Sequence, residues 1–170
     1  MEVLPAATPF QLASITWGYM QGATVVSRLI RPVEQQAMRT MGRFQAMDLV
    51  ILIKAFSLTR HKSAELFKAA QARAEELVED FTMYQLTTLV WCLVTLDSVS
   101  PPMVGLLKHE LQRRGHELSE QDMTNFIWSF IMIGRTDIGE AVGLVMAKLH
   151  PEVNQIDLMV APEQIGMHVD

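Results

Sequence analysis

The stretch FTMYQLTTLVWCLVTLD, residues 81–97, echoes itself along the chain at a spacing of 37 residues, and that spacing decides the fold. Within it Leu86, Leu89, Val90 and Leu93 stand at i, i+3, i+4 and i+7, one face of an α-helix. Sliding the chain on itself by 37 residues aligns Leu12, Leu49, Leu86 and Met123, then Ile15, Leu52, Leu89 and Phe126, then Tyr19, Phe56, Leu93 and Phe130. All of these columns are apolar. The column Trp17, Lys54, Trp91 and Trp128 holds every tryptophan of the chain, and its neighbour, Gly18, Ala55, Cys92 and Ser129, is uniformly small. A small residue lets a second helix approach closely and a tryptophan beside it fills space between units, so both columns read as structural. On that basis Trp91→Ala or Trp128→Ala lowers stability by on the order of 3–5 kcal/mol.

Start signals agree with the columns. Thr8 with Pro9 has the pattern of an N-cap followed by proline at the first helical position, and Ser119 before Glu120, Gln121 and Asp122 that of a cap with an acidic first turn. A second helix is expected after a polar break in each unit, at Gly22, at Thr59 to Ser63, at Asp97 to Pro102 and at Gly134 to Asp137. Its apolar positions are Val33, Ala37 and Met41, then Leu66, Ala70, Ala74 and Leu77, then Leu107 and Leu111, then Leu144 and Leu149. A hairpin with apolar residues on more than one face cannot bury them alone, so successive units must share a core. The expected fold is all-α, an α-solenoid of about four 37-residue helical hairpins, with units at about 7–43, 44–80, 81–117 and 118–154 of a repeat domain over 1–154. Residues 155–170, which include Pro162 and Gly166, form a partial fifth unit or an irregular tail.

Composition narrows the class. With 49% hydrophobic and 19% charged residues in 170, the chain is too apolar for disorder and long enough for a filled core. Its longest uncharged stretches, Leu86 to Leu96 and Phe126 to Gly134, are shorter than the roughly 20 apolar residues of a membrane helix, so no membrane span is expected. Cys92 is the single cysteine, which excludes an internal disulfide and fits a reducing compartment. Met1 to Phe10 lacks the Arg-rich, acid-poor character of a transit peptide. The net charge of −5 is uneven: eight acidic residues against Arg135 and Lys148 lie from Leu118 onward, net −6, leaving 11 acidic and 12 basic residues, net +1, before it. An acidic total excludes a protein that coats nucleic acid nonspecifically, since such binding comes from phosphate neutralisation. A local basic patch remains compatible with it.

The period of 37 fits neither the 34 residues of a tetratricopeptide repeat nor the 35 of a pentatricopeptide repeat. The segments LSEQDMTNFIWSFIMIG and FTMYQLTTLVWCLVTLD resemble the first-helix signature of heptatricopeptide and octotricopeptide repeats, which is similar to the repeats of FAST-kinase-like proteins. The resemblance covers about residues 7 to 150 and is strongest at Leu12 with Trp17, Leu86 with Trp91, and Met123 with Trp128; unit two departs from it, with Lys54 in place of tryptophan. It implies an organellar protein, mitochondrial or alternatively plastid, that binds RNA in processing, stability or the mitochondrial ribosome. Those families often end in a RAP domain, and no such domain fits in this chain, so a nuclease role has no support.

The basic residues offer the candidate RNA surface: Arg28, Arg31, Arg39 and Arg43 in unit one, Arg60, His61, Lys62 and Lys68 in unit two, Arg113 and Arg114 in unit three. Arg31 and Lys68 share a column, but Arg28 aligns with Glu65 and Arg39 with Glu76, so solvated helix faces with scattered ion pairs explain the same residues. The tryptophan column could suggest base stacking, but its place beside the core face favours packing. His109 and Glu110 begin a zincin-like motif whose second histidine position is Arg113, and His109 with His116 lacks a third ligand, so no metal is expected. There is no Gly-rich phosphate loop, no nucleophile elbow and no acid–base carboxylate pair, and Cys92 sits in a column of small buried residues, so no enzyme, cofactor or small-molecule substrate is expected. Two binding functions follow: contact with organellar RNA, foremost ribosomal RNA, or a scaffold for neighbouring proteins in a large mitochondrial assembly without RNA. Twelve methionines and the acidic fourth unit fit burial among such neighbours.

Overall fold

The structure is a computed structural model and describes residues 6–20, 26–59, 61–123, 126–127, 143 and 147. Among these, six longer helices form in chain order: α1 (Pro9–Met20), α2 (Val26–Thr40), α3 (Ala46–Thr59), α4 (Ala64–Glu76), α5 (Met83–Thr95) and α6 (Pro101–Arg114). Short 3-10 turns follow α2, α4 and α6 at Met41–Arg43, Val78–Asp80 and Gly115–Glu117. No strand occurs among the described residues. The starts of α1, α3 and α5 and the starts of the three turns are each 37 residues apart. The fourth unit's tryptophan, Trp128, and its second-helix positions Leu144 and Leu149 lie outside the described residues.

The register comes from local chemistry repeated at the start of each odd helix. Thr8 and Gln11 form a reciprocal capping box, Thr8 N donating to Gln11 Oε1 at 3.0 Å and Gln11 N to Thr8 Oγ1 at 3.2 Å; Thr82 and Gln85 repeat it with the same two distances. At the equivalent place before α3, Gln45 N donates to Asp48 Oδ2 at 3.1 Å, and in the fourth unit Asp122 N donates to Ser119 Oγ at 3.1 Å. Immediately before these caps stand Ala7, Phe44, Phe81 and Leu118, and four residues after them Leu12, Leu49, Leu86 and Met123. All eight are buried, the arrangement of a hydrophobic staple that fixes how the chain enters each helix. The second helices also have local starts: Ser100 caps α6, accepting from Met103 N at 3.3 Å, and Pro101 and Pro102 open that helix instead of belonging to the break before it. Asp97, with φ of 54°, ends α5 in the left-handed region, while Asp97 N and Ser98 N bond Val94 O and Leu93 O, both at 2.9 Å.

Packing follows the columns. α1 contacts α3 and α3 contacts α5; α2 contacts α4 and α4 contacts α6; each odd helix also contacts the even helix that follows it. The residues between the helices form one buried cluster running from Ala7 to Ile127, and Phe44, Phe56, Phe67 and Phe81 are its largest fully buried side chains. In the small column Ala55 and Cys92 are fully buried, whereas Gly18 on α1 is exposed.

Candidate nucleic-acid interface

The candidate basic residues separate into two groups by what surrounds them. Arg31 and Arg39 on α2, Arg43 in the turn after it, and Lys62 and Lys68 around α4 are exposed. Arg31 and Lys68 occupy equivalent positions on α2 and α4, which pack against each other, so the fold brings these two into one region. Lys62 Nζ lies 4.0 Å from Asp97 Oδ2, but the two side chains are 72% and 94% exposed, so water screens the pair and it contributes little. Exposed Glu65, Glu75 and Glu76 on α4 interrupt the basic run, which is therefore densest on α2 and its turn. The side chain of Arg28 and all of Arg60 lie outside the described residues.

The second group is held by carboxylates and backbone carbonyls of the fold, Arg114 nearly buried and Arg113 43% exposed. The Arg114 side chain is 11% exposed; Nε donates to Glu110 Oε2 at 2.8 Å, Nη1 to Phe81 O at 2.7 Å and Nη2 to Val78 O at 2.8 Å. Arg113 Nη2 bridges both Glu79 oxygens, at 2.9 Å, and Glu110 Oε2 at 2.7 Å. Glu110 is 2% exposed. Burial alone pushes its carboxyl upward, but the hydrogen bonds from Arg113, His109 and Arg114 outweigh this and hold it below its ordinary value. Arg113 in turn is held more firmly protonated by the carboxylates of Glu110 and Glu79. These two arginines, expected from sequence to extend the basic surface into unit three, close the third hairpin and tie it to the turn before it. The signal was present in the sequence as Glu110 three and four residues before them.

His61 is also engaged. Its Nε2 lies 3.4 Å from Glu34 Oε2, its ring is tilted against Phe56 at 5.7 Å between centroids, and Ser63 Oγ donates to Glu34 Oε1. The same three repeat positions recur one unit on, where Gln71 Nε2 donates to Ser98 O at 3.1 Å and Ser100 N donates to Gln71 Oε1 at 2.7 Å. Glu34 and Gln71 are therefore latches from one hairpin to the loop of the next.

The outer face of the odd helices was not expected to be open. Phe10, Met47 and Tyr84, 37 residues apart, are 63%, 48% and 57% exposed. One level along, Trp17, Lys54 and Trp91 are half-buried, and Lys54 Nζ stands 5.2 Å from the centre of the Trp17 ring. The departure of unit two from tryptophan thus sets an ammonium against the Trp17 indole. Trp91 packs on the core and also lines an open cavity of about 240 Å³ with Lys54, Tyr84, Thr88, Asp122 and Phe126. Behind this face Cys92 is buried, and burial pushes its thiol up to about 11, against a hydrogen bond with Ser57 and the charge of Lys54 that act the other way. The thiolate needed for nucleophilic chemistry is scarce at neutral pH in such a setting. No group of three or more His, Cys, Asp or Glu side chains is placed to hold a metal among the described residues, and no described helix is long and apolar enough to cross a membrane.

No protein-family model matches the chain. It is 25% identical over 109 residues to a RAP domain-containing protein, chloroplastic, of Oryza sativa subsp. japonica, a match that covers 63% of this chain and 17% of that protein. The chain thus aligns with about a sixth of the length of this relative.

Proposed function

We propose that this chain is a non-catalytic helical-repeat protein that binds RNA in an organelle. In this reading it is an α-solenoid of about four 37-residue hairpins, at 7–43, 44–80, 81–117 and 118–154, with 155–170 as a partial repeat or tail. The observation that carries it is the likeness to a chloroplastic RAP domain-containing protein, since the families that the helix signatures resemble often end in a RAP domain. The 37-residue register of helix starts supports the repeat half of the reading. That relative is chloroplastic, which fits the plastid alternative rather than the mitochondrion that the family resemblance put first. Ribosomal RNA in a large assembly is the target class we assign, with the basic first units toward RNA and the acidic fourth toward protein or solvent.

Arg31, Arg39, Arg43, Lys62 and Lys68 are the proposed phosphate contacts, because they are the described candidates not engaged by buried carboxylates, and Arg28 and Arg60 join them on the sequence pattern alone. Replacing Arg31, Arg39, Lys62 and Lys68 together by Glu is expected to weaken RNA binding and to flatten its dependence on salt, by about 0.7 in the log–log slope for each phosphate no longer neutralised. An unchanged slope removes these residues from the interface. Purification of the tagged protein from its organelle at low and high salt tests the wider reading. Recovery of ribosomal RNA with ribosomal proteins supports it, whereas an RNA-free protein complex stable in high salt replaces it with the scaffold function.

A further inference from the structure

We infer that the outer face of α1, α3 and α5 is a stacking surface for unpaired nucleobases, and that the cavity between Lys54, Tyr84 and Trp91 holds one of them. The inference rests on the RNA-binding reading above but concerns a different surface from the basic one. Two rows run across the three helices at the repeat spacing: Phe10, Met47 and Tyr84 are exposed, and Trp17, Lys54 and Trp91 are half-buried beside them. A pocket for a single partner side chain would need only the cavity between α3 and α5, whereas these rows continue past it onto α1, as an extended chain of flat groups requires.

Charge points to the same occupant. Among the described residues of α1, α3 and α5 the charged side chains are Asp48, which is buried and accepts from Gln45 N, and Lys54, which lies over the Trp17 ring and borders the cavity. The charge that these three helices offer on this face is therefore the half-buried Lys54 ammonium, placed where it attracts a phosphate or a base carbonyl, and the carboxylate that borders the same cavity, Asp122, comes from the next unit. The cavity itself joins three aromatic side chains, Tyr84, Trp91 and Phe126, to the Thr88 hydroxyl and the Asp122 carboxylate. That mixture suits a planar ring with hydrogen-bonding edges better than the apolar stripe of a docking helix. At about 240 Å³ it falls below the roughly 300–1,000 Å³ of sites for drug-sized ligands, so it takes one ring system and not a whole cofactor. Stacking needs bases free of a duplex, which makes single-stranded RNA the class bound.

Tyr84→Ala and Lys54→Gln test this without opening the core, since Tyr84 is 57% exposed and Lys54 half-buried. Binding of a 12-nucleotide single-stranded RNA of randomised sequence is followed by tryptophan quenching and by anisotropy, with the melting temperature of each variant as a control for folding. Tyr84→Ala is expected to weaken binding roughly tenfold with its salt slope unchanged, the size of one stacked base removed. Lys54→Gln is expected to weaken it and to lower the slope by about 0.7. A duplex of the same length is expected to leave tryptophan emission unquenched. If both variants bind as tightly as the unaltered protein while the fourfold Glu variant on α2 and α4 does not, RNA binding stands and the stacking face is overturned. If the unaltered protein binds no single-stranded RNA, both the proposed function and this inference fall. Loss of a protein partner in Tyr84→Ala with RNA binding intact reassigns the face to that partner.

Discussion

Where the second hairpin, α3 and α4, turns into its second helix, a carboxylate makes the latch: Glu34 accepts from the Ser63 hydroxyl and approaches His61, so Ser63 does not cap α4 with its side chain. At the third hairpin, α5 and α6, the equivalent residue is the neutral Gln71, which bonds backbone atoms of Ser98 and Ser100 and leaves the Ser100 hydroxyl to cap α6. The closing contact reverses the pattern. In the second hairpin Arg73 reaches Phe44 O at 3.1 Å and its carboxylate partner, Glu76, is exposed; in the third, Arg114 reaches the equivalent Phe81 O and its partner, Glu110, is buried. The second hairpin thus has a carboxylate at its latch and an exposed one at its closing contact, and the third a neutral amide at its latch and a buried carboxylate at its closing contact. A repeat column fixes which backbone atoms need a partner, and the side chain that supplies it is free to move by a turn or to change its charge.

The largest difference between the hairpins is expected from the closing arginines. Arg114→Leu strands Glu110 with one remaining arginine and leaves Phe81 O and Val78 O without it, a loss of about 3–5 kcal/mol in urea unfolding, as for a broken buried pair. Arg73→Leu removes one backbone hydrogen bond and a half-exposed pair, about 1 kcal/mol. Equal losses would break the comparison. Acid separates the same two contacts. Because the folded Glu110 carboxyl titrates below its ordinary 4.5, the stability it supplies is whole above about pH 4.5 and is lost as pH falls through the lower folded value. Glu110→Gln is expected to lower stability at pH 7 and to remove that part of the acid dependence, which thermal melts between pH 7 and pH 3 resolve.

Much of the helical register was legible because it rests on chemistry local to each helix start. Leu12, Leu49, Leu86 and Met123 mark the buried face, and Thr8 and Ser119 are caps as their sequence context predicts. The breaks at Thr59 to Ser63 and at Asp97 to Pro102 were legible to within a turn, those at Gly22 and at Gly134 to Asp137 lie outside the described residues, and Pro101 and Pro102 were misplaced because proline both breaks and opens helices. The site was less legible, since burial of a charge depends on partners distant in sequence: Glu79 lies 34 residues from Arg113, and Val78 lies 36 from Arg114. Column alignment alone showed Arg39 and Arg113 as equivalent, but the first is exposed and the second is bound between two carboxylates. The exposed row of Phe10, Met47 and Tyr84 was missed for a related reason: a repeat pattern shows that positions are equivalent, not which face has a neighbour.

The smallest effects test whether the two latches are interchangeable. Gln71 is 5% exposed, and Gln71→Ala leaves the Ser98 carbonyl and the Ser100 amide without it, a loss of about 2 kcal/mol. Glu34→Gln instead turns the first latch chemically into the second. It keeps an acceptor for Ser63 and gives up the contact of a carboxylate with His61, whose side chain is 30% exposed, so the change in stability is expected to stay within about 0.5 kcal/mol. Where Glu34→Gln costs as much as Gln71→Ala, the charge at the first latch is itself structural and the two joints are not variants of one device. A near-neutral Glu34→Gln means that the repeat needs an acceptor at this position and tolerates either charge state, which leaves the charge of α2 and its turn free to be set by what that surface binds.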